Sequence, residues 1–133
     1  GRNADLAIFG VGAFGAPLAS HVYVSGYLGN EDVMRLRREG VVGDVCTVLV
    51  RSDGSYSDIE INSRASGPTP DELQKIPRRL CVVAGPAKAT ALIGVLRSGA
   101  VTDLVVDDEC AQRVLEESER PWRGRPSGAG ISQ

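Results

Sequence analysis

The stretch from Leu80 to Glu119 reads LCVVAGPAKATALIGVLRSGAVTDLVVDDECAQRVLEESE, and the fold is decided there. A short, unbroken apolar run ends at Gly85. PAKATALIGVLRSG then has the composition of a helix, with Pro86 at its start and Gly99 as its stop. VTDLVVD is a second apolar run, and DECAQRVLEESE a second helix with Asp107 placed to cap it. Strand, helix, strand, helix, with both strands apolar throughout, is the pattern of parallel strands covered on both faces.

Upstream, TPDEL (69–73) has a cap in Thr69, proline at the first helical position and Glu72 three residues past the cap, the pattern of a capping box on a short helix. NEDVMRLRREG (30–40) predicts a helix, with acids in its first turn, basic residues in its last and Gly40 as its stop. Between these two helices, VCTVLV from Val45 reads as a buried strand, Asp53-Gly54 as a tight turn and SYSDIEI as an alternating partner strand. The expectation is a β-hairpin turning at Asp53-Gly54.

At the amino-terminal end, DLAIFGVGAFGAP (5–17) runs from a strand, Asp5 to Phe9, into Gly10, Gly12 and Gly15 in G-x-G-x-x-G register. A dinucleotide site needs a helix after those glycines and an acid at the end of a second strand about 20 residues on. The next segment contains Pro17 and the β-branched or aromatic run Val22 to Val24, so it reads as a loop. The acids at the right distance, Glu31 and Asp32, begin a helix instead. No nicotinamide, flavin or other cofactor is therefore expected, and the glycines mark a tight turn or a close approach of backbone to another ligand.

Composition narrows the function classes. The chain has 133 residues, 42% of them hydrophobic, enough for one domain with a real core. The net charge is −2, the arginines are scattered among acids, and lysine occurs only at 75 and 88, so no nucleic-acid patch stands out. No apolar run approaches the roughly 20 residues that cross a bilayer, and no secretory leader is recognisable, so a cytoplasmic location without membrane contact is expected. Cys46, Cys81 and Cys110 are odd in number and widely spaced, two of them within apolar runs, which suits small hydrophobes better than a metal site or disulfide. The lone histidine, His21, excludes a paired-histidine ligand set. RPWRGRPSGAGISQ lacks periodicity, and 119–133 reads as a flexible tail with Trp122 its one candidate anchor.

The strongest candidate site is the turn after the first apolar run of the opening stretch. A strand that ends at Gly85 and hands over at once to a helix points unpaired N–H groups and the positive end of the helix dipole into the crevice at the carboxyl edge of the sheet. Lys88 lies in the first turn, where the dipole disfavours a cation unless an anion compensates; the alternative is a lysine pointing into water. Asp107 ends the next strand at the same edge, as a helix cap or as an acceptor for hydroxyls. Asp44 in VVGDVC, Glu60 in DIEINSR and Arg64 in the loop after the expected hairpin are further candidates, each open to a plain surface reading.

In order along the chain, DLAIFGVG, SGYLGNEDVMRLRREGVVGDVCTVLVRSDG, EINSRASG and LQKIPRRLCVVAGPAKATALIGVLRSGAVTDLVVDDECAQRVLE resemble the carboxyl-terminal half of the sugar-binding domain of SorC-type bacterial transcriptional regulators. The resemblance runs from about Asp5 to Glu116; its most specific parts are Gly43-Asp44, the VAG-x-x-K-A turn through Lys88 and the DD-x-x-A turn from Asp107. It implies a Rossmann-like α/β fold, a mostly parallel sheet with helices on both faces plus a β-hairpin, similar to ribose-5-phosphate isomerase and glucosamine-6-phosphate deaminase. It also implies that residues 1–118 are part of an effector-binding domain that takes a phosphorylated sugar without transforming it. DNA contact would come from a helix-turn-helix segment outside these residues, and effector binding would alter a homo-oligomer. By the same resemblance Gly12 and Gly85 approach the effector, Asp44 accepts from sugar hydroxyls, Arg64 and Lys88 meet the phosphate, and Asp107 borders the pocket. Two departures stand out: Pro86 replaces the family's usual second glycine, removing an N–H donor, and Ala13-Phe14 replace a small hydroxyl residue after Gly12. Domains of this family are also roughly twice as long, and their other half carries further strands and part of the pocket. An isomerase-like enzyme on the related fold is the alternative, with Asp44 or Glu60 as the base.

Overall fold

The computed structural model describes residues 4–14 and 30–119. Among these residues, six strands form two three-stranded sheets. In the first, β1 (Leu6–Phe9), β5 (Arg78–Val83) and β6 (Asp103–Val106) are all parallel, in the order β1-β5-β6. In the second, β2 (Gly12–Ala13), β3 (Val41–Val45) and β4 (Val48–Arg51) are antiparallel in chain order. The α-helices among the described residues are α1 (Asn30–Arg38), the short α2 (Pro70–Leu73), α3 (Ala89–Arg97) and α4 (Asp108–Glu119). The mixed α/β architecture expected from the pattern is the one found. The glycine motif's third member, Gly15, the loop after it, His21 and the expected tail beyond Glu119 lie outside the described residues.

Local chemistry accounts for the elements. Thr69 Oγ1 accepts from the Glu72 amide at 3.1 Å while the Glu72 carboxylate accepts from the Thr69 amide at 2.9 Å, a complete capping box. Helix α1 carries Glu31 and Asp32 in its first turn and Arg35, Arg37 and Arg38 in its last, in the sense that suits its dipole, and Gly40 ends it at φ +90°. Asp107 Oδ1 accepts from the Cys110 amide at 3.3 Å and so caps α4.

The hairpin lies elsewhere than expected. Its turn is Cys46-Thr47, both left-handed at φ 51° and 71°, and β3 and β4 flank it. Loop 65–67 braces this turn: the Gly67 amide donates to Thr47 Oγ1 at 3.2 Å, and a Cβ on Gly67 would lie 1.8 Å from the Cys46 carbonyl oxygen. Asp53-Gly54 is indeed a tight turn, with Gly54 at φ +90°, but no strand follows it. The alternation of SYSDIEI belongs instead to a loop and a 3-10 turn, Glu60–Arg64, which bury Ile59 and Ile61 with Leu36, Val41 and Leu49. Asn62 explains the substitution. Its side chain accepts from the Leu49 amide at 2.8 Å and donates to the Leu49 carbonyl at 2.9 Å, taking the edge bonds of β4 that another strand would use.

Helix α3 is the wedge between the sheets. Ala89, Ala91, Leu92, Ile93, Gly94 and Val95 are all buried. Glycines allow the close approach: a Cβ on Gly43 would come within 2.3 Å of the Gly12 carbonyl oxygen and 2.6 Å of the Ala91 Cβ. The parallel sheet is covered on the face that carries Cys81 and Val83. On its other face, Leu6, Ile8, Val82 and Val105 are exposed among the described residues, so coverage of both faces is not seen here.

Candidate functional site

The carboxyl ends of β1, β5 and β6 meet the amino-terminal end of α3. After Val83 the chain turns at Gly85, whose φ of +99° explains its glycine and above which a Cβ would meet nothing within 4 Å. The 3-10 turn Pro86–Lys88 leads into α3. Lys88, half-buried, reaches back along the sheet edge and donates from Nζ to the Val11 carbonyl at 2.5 Å. The ammonium therefore stays at the crevice, beside Gly12. Asp107 follows the end of β6; its Oδ1 accepts from the Gly85 amide at 3.0 Å as well as capping α4.

These contacts bring Gly12, Gly85, Lys88 and Asp107 into one corner. The backbone donors there are largely used within the protein. The Gly85 amide is held by Asp107, the Lys88 amide donates to the Gly85 carbonyl at 3.1 Å, the Ala89 amide to the Pro86 carbonyl, and Pro86 has none. The expectation of a crevice lined with unpaired amides is thus met less fully than the strand-to-helix turn suggested. The Lys88 ammonium and the dipole of α3 supply the positive potential. Both bonds to Asp107 use Oδ1. An open cleft of about 440 Å³ adjoins the corner, bordered by Ala13 and Phe14, Arg37 of α1, and Ala87, Thr90 and Ala91. That is room for a small sugar and its substituents.

Asp44 and Arg64 are placed differently. Asp44 pairs in register with Gly12 and is buried, at 7% exposure. Since Gly43 faces Ala91 of α3, strand alternation turns the Asp44 side chain to the opposite face, where its partner Leu49 packs with Ile59 and Ile61. Arg64 is exposed at the end of the 3-10 turn, close in sequence to loop 65–67 on the hairpin turn. Glu60 lies exposed in that same 3-10 turn, bordering a hollow with Arg35, Glu39 and Asp58. The corner and the hairpin end are thus two groups that meet along β2. Sequence reasoning missed the second role of Val11, a backbone carbonyl with no side-chain signal.

The thiols take no part in this chemistry. Burial pushes Cys81 up to about 11, with Cys46 and Cys110 adding to the shift. Burial, then Asp44, raises Cys46, and burial, then Asp107, raises Cys110. All three are protonated at neutral pH, the state that neither attacks nor binds metal. No group of three or more potential metal ligands exists among the described residues, and no helix there is long and apolar enough to cross a membrane.

Residues 1–116 match the family described as "Putative sugar-binding domain". The chain belongs to this family. It is 30% identical over 113 residues to the transcriptional regulator LsrR of Enterobacter sp. strain 638, covering 84% of this chain and 35% of that protein. It therefore spans about a third of the curated relatives that it matches. Among solved structures, a domain of a possible sugar-binding transcriptional regulator from Arthrobacter aurescens TC1 shares 41% identity at a TM-score of 0.75, over 86% of this chain and 43% of that one. The "Putative Sugar-Binding Domain of Transcriptional Repressor from Vibrio fischeri" superposes at a TM-score of 0.77 with 26% identity, over 90% of this chain and 47% of that one. The full-length sorbitol operon regulator SorC of Klebsiella pneumoniae shares the fold, at 21% identity and a TM-score of 0.74.

Proposed function

We propose that this chain is an effector-binding part of a bacterial transcriptional regulator and that its ligand is a phosphorylated sugar, bound without chemical change. The observation that carries this reading is the half-buried Lys88 ammonium held at the sheet edge by Val11, on the same turn as Gly85, above which a Cβ would meet open space. In this reading the phosphate lies against Lys88 and the start of α3, and the sugar extends into the adjoining cleft. Asp107 Oδ2 accepts from a hydroxyl, its partner oxygen being engaged. Gly12 admits the ligand backbone-close. DNA reading falls to a helix-turn-helix segment outside these residues, and the ligand changes the assembly of a homo-oligomer.

The isomerase alternative needs a carboxylate base poised over a sugar carbon. Asp44 projects from the far face of the hairpin sheet, Glu60 sits with it on that side, and Asp107 is committed to a cap. That arrangement favours a sensor. Calorimetry against a panel of pentose and hexose phosphates tests the reading: saturable heats that disappear in Lys88→Gln are expected, with no turnover of any ligand. Silence across the panel, or turnover, contradicts it.

A further inference from the structure

Among the described residues the main chain passes between the sheets twice, from Arg51 to Arg78 by way of the 3-10 turn and α2, and from Phe9 to Gly12 through Gly10 and Val11 alone. This shorter crossover is thinly held. Strand β2 is two residues long, and beyond it the Phe14 amide donates to the Val42 carbonyl at 2.9 Å. The Val11 side chain is buried at 5% exposure, and its carbonyl takes the Lys88 ammonium at 2.5 Å. Lys88 in turn opens α3, the helix that packs Ala91 onto Gly43 of β3. One ammonium therefore touches the shorter of the two crossovers from the helix wedged between both sheets.

We propose that an anion bound at Lys88 locks this shorter crossover between the sheets, making this lysine the link between effector occupancy and the relative setting of the parallel and hairpin sheets. The proposal rests on the reading of Lys88 as the anion's partner. An ammonium has three N–H donors, and the Val11 carbonyl occupies one. A second acceptor is served without giving up the first, and the anion fixes the flexible stem in the rotamer that reaches Val11. Without an anion, that rotamer competes with others that point the head into water. Coupling of this kind is reciprocal: whatever loosens β2 weakens the anion by the same factor. Short, sparsely bonded elements open most readily, so the β2–β3 ladder is where occupancy is legible.

Hydrogen exchange of the 133-residue chain, followed by NMR while inorganic phosphate replaces chloride at constant ionic strength, tests this. The Phe14 amide is the reporter, and the Arg51 amide, bonded to the Ser55 carbonyl at the far end of the hairpin, is the control for general stabilisation by phosphate. The expected result is exchange at Phe14 slowed at least about threefold relative to Arg51 at saturating phosphate. In Lys88→Met, Phe14 exchanges faster and ignores phosphate; in Lys88→Arg, which keeps the charge, the response persists. Saturable shifts at Gly85–Lys88 with unchanged Phe14 exchange overturn the link and leave the anion site standing. No saturable shift anywhere overturns both. If Lys88→Met does not fold, the wild-type titration with Lys88→Arg still decides.

Discussion

In the hairpin sheet, Val45, Val48, Leu49 and Val50 are each within 1% of complete burial, whereas in the parallel sheet Ile8 keeps 65% and Val105 55% of its surface exposed. The difference follows from where α3 lies. The hairpin has α3 on one face and α1 with the 3-10 turn on the other; the parallel sheet has helical cover on one face among the described residues. The two faces of the hairpin are filled, so its share of the candidate site is the rim that β2 and β3 present to the cleft, while the Lys88 corner sits at the parallel sheet's edge, where a Cβ on Gly85 would meet open space. Burial is thus concentrated in the hairpin sheet and recognition at the seam between the sheets, and each substitution probes that difference.

The largest effect is expected at the wedge. Leu92 is completely buried between the sheets, and Leu92→Ala should cost about 2–5 kcal/mol in denaturant-unfolding experiments. A loss below about 1 kcal/mol, the size of an ordinary surface change, would show that α3 does not hold the sheets together. Next, Asp107→Ala should cost about 0.5–2 kcal/mol, by uncapping α4 and freeing the Gly85 amide, with Asp107→Asn recovering most of it. At the hairpin turn two terms oppose: Thr47→Gly relieves a left-handed non-glycine residue but removes the hydroxyl to which the Gly67 amide donates, so stability should change by less than about 0.5 kcal/mol. On the open face, Ile8→Ser should change stability by less than about 0.5 kcal/mol. A large loss there would mean that this side chain is covered in solution and would erase the contrast between the sheets.

The smallest effect concerns pH. The Arg78 guanidinium, with help from the Thr102 hydroxyl, holds Asp103 below the usual carboxylate range, and Arg51 does the same for Asp58. Both carboxyls have folded values lowered below their unfolded ones, so their contribution is present above the ordinary carboxylate range. It is lost as pH falls through that range toward the lowered values. Asp58 is exposed and Asp103 is paired with an exposed arginine at the sheet edge, so solvent screens both, and Arg78→Gln should leave neutral-pH stability nearly unchanged and flatten the acid limb slightly.

Much of this architecture was legible because local signals and tertiary demands agree. Gly40, Gly85 and Gly99 stand at positive φ where the sequence marks ends of elements, and Thr69, Glu72 and Asp107 make the caps that their spacing implies. The hairpin was not legible, because Cys46-Thr47 carries no turn chemistry and is held left-handed by Gly67 from 20 residues away. The 3-10 turn at Glu60 imitates a strand because Ile59 and Ile61 bury on one cluster, and nothing in the order of residues shows that Asn62 will bond the backbone of Leu49. At the site, the residue types at Gly85, Lys88 and Asp107 pointed to one corner, but the division of Asp44 and Arg64 from it depends on strand alternation around Gly43.

The central claim is that the Lys88 corner takes the charged ester of a sugar. The direct measurement is the ratio of dissociation constants, by calorimetry on this chain, for one sugar with and without its phosphate. A charge-assisted hydrogen bond contributes about 1.5–3 kcal/mol, so the phosphorylated form should bind roughly ten- to a hundredfold more tightly, with the ratio collapsing toward one in Lys88→Gln. Equal affinity for the two forms, or a preference untouched by Lys88→Gln, would contradict the account.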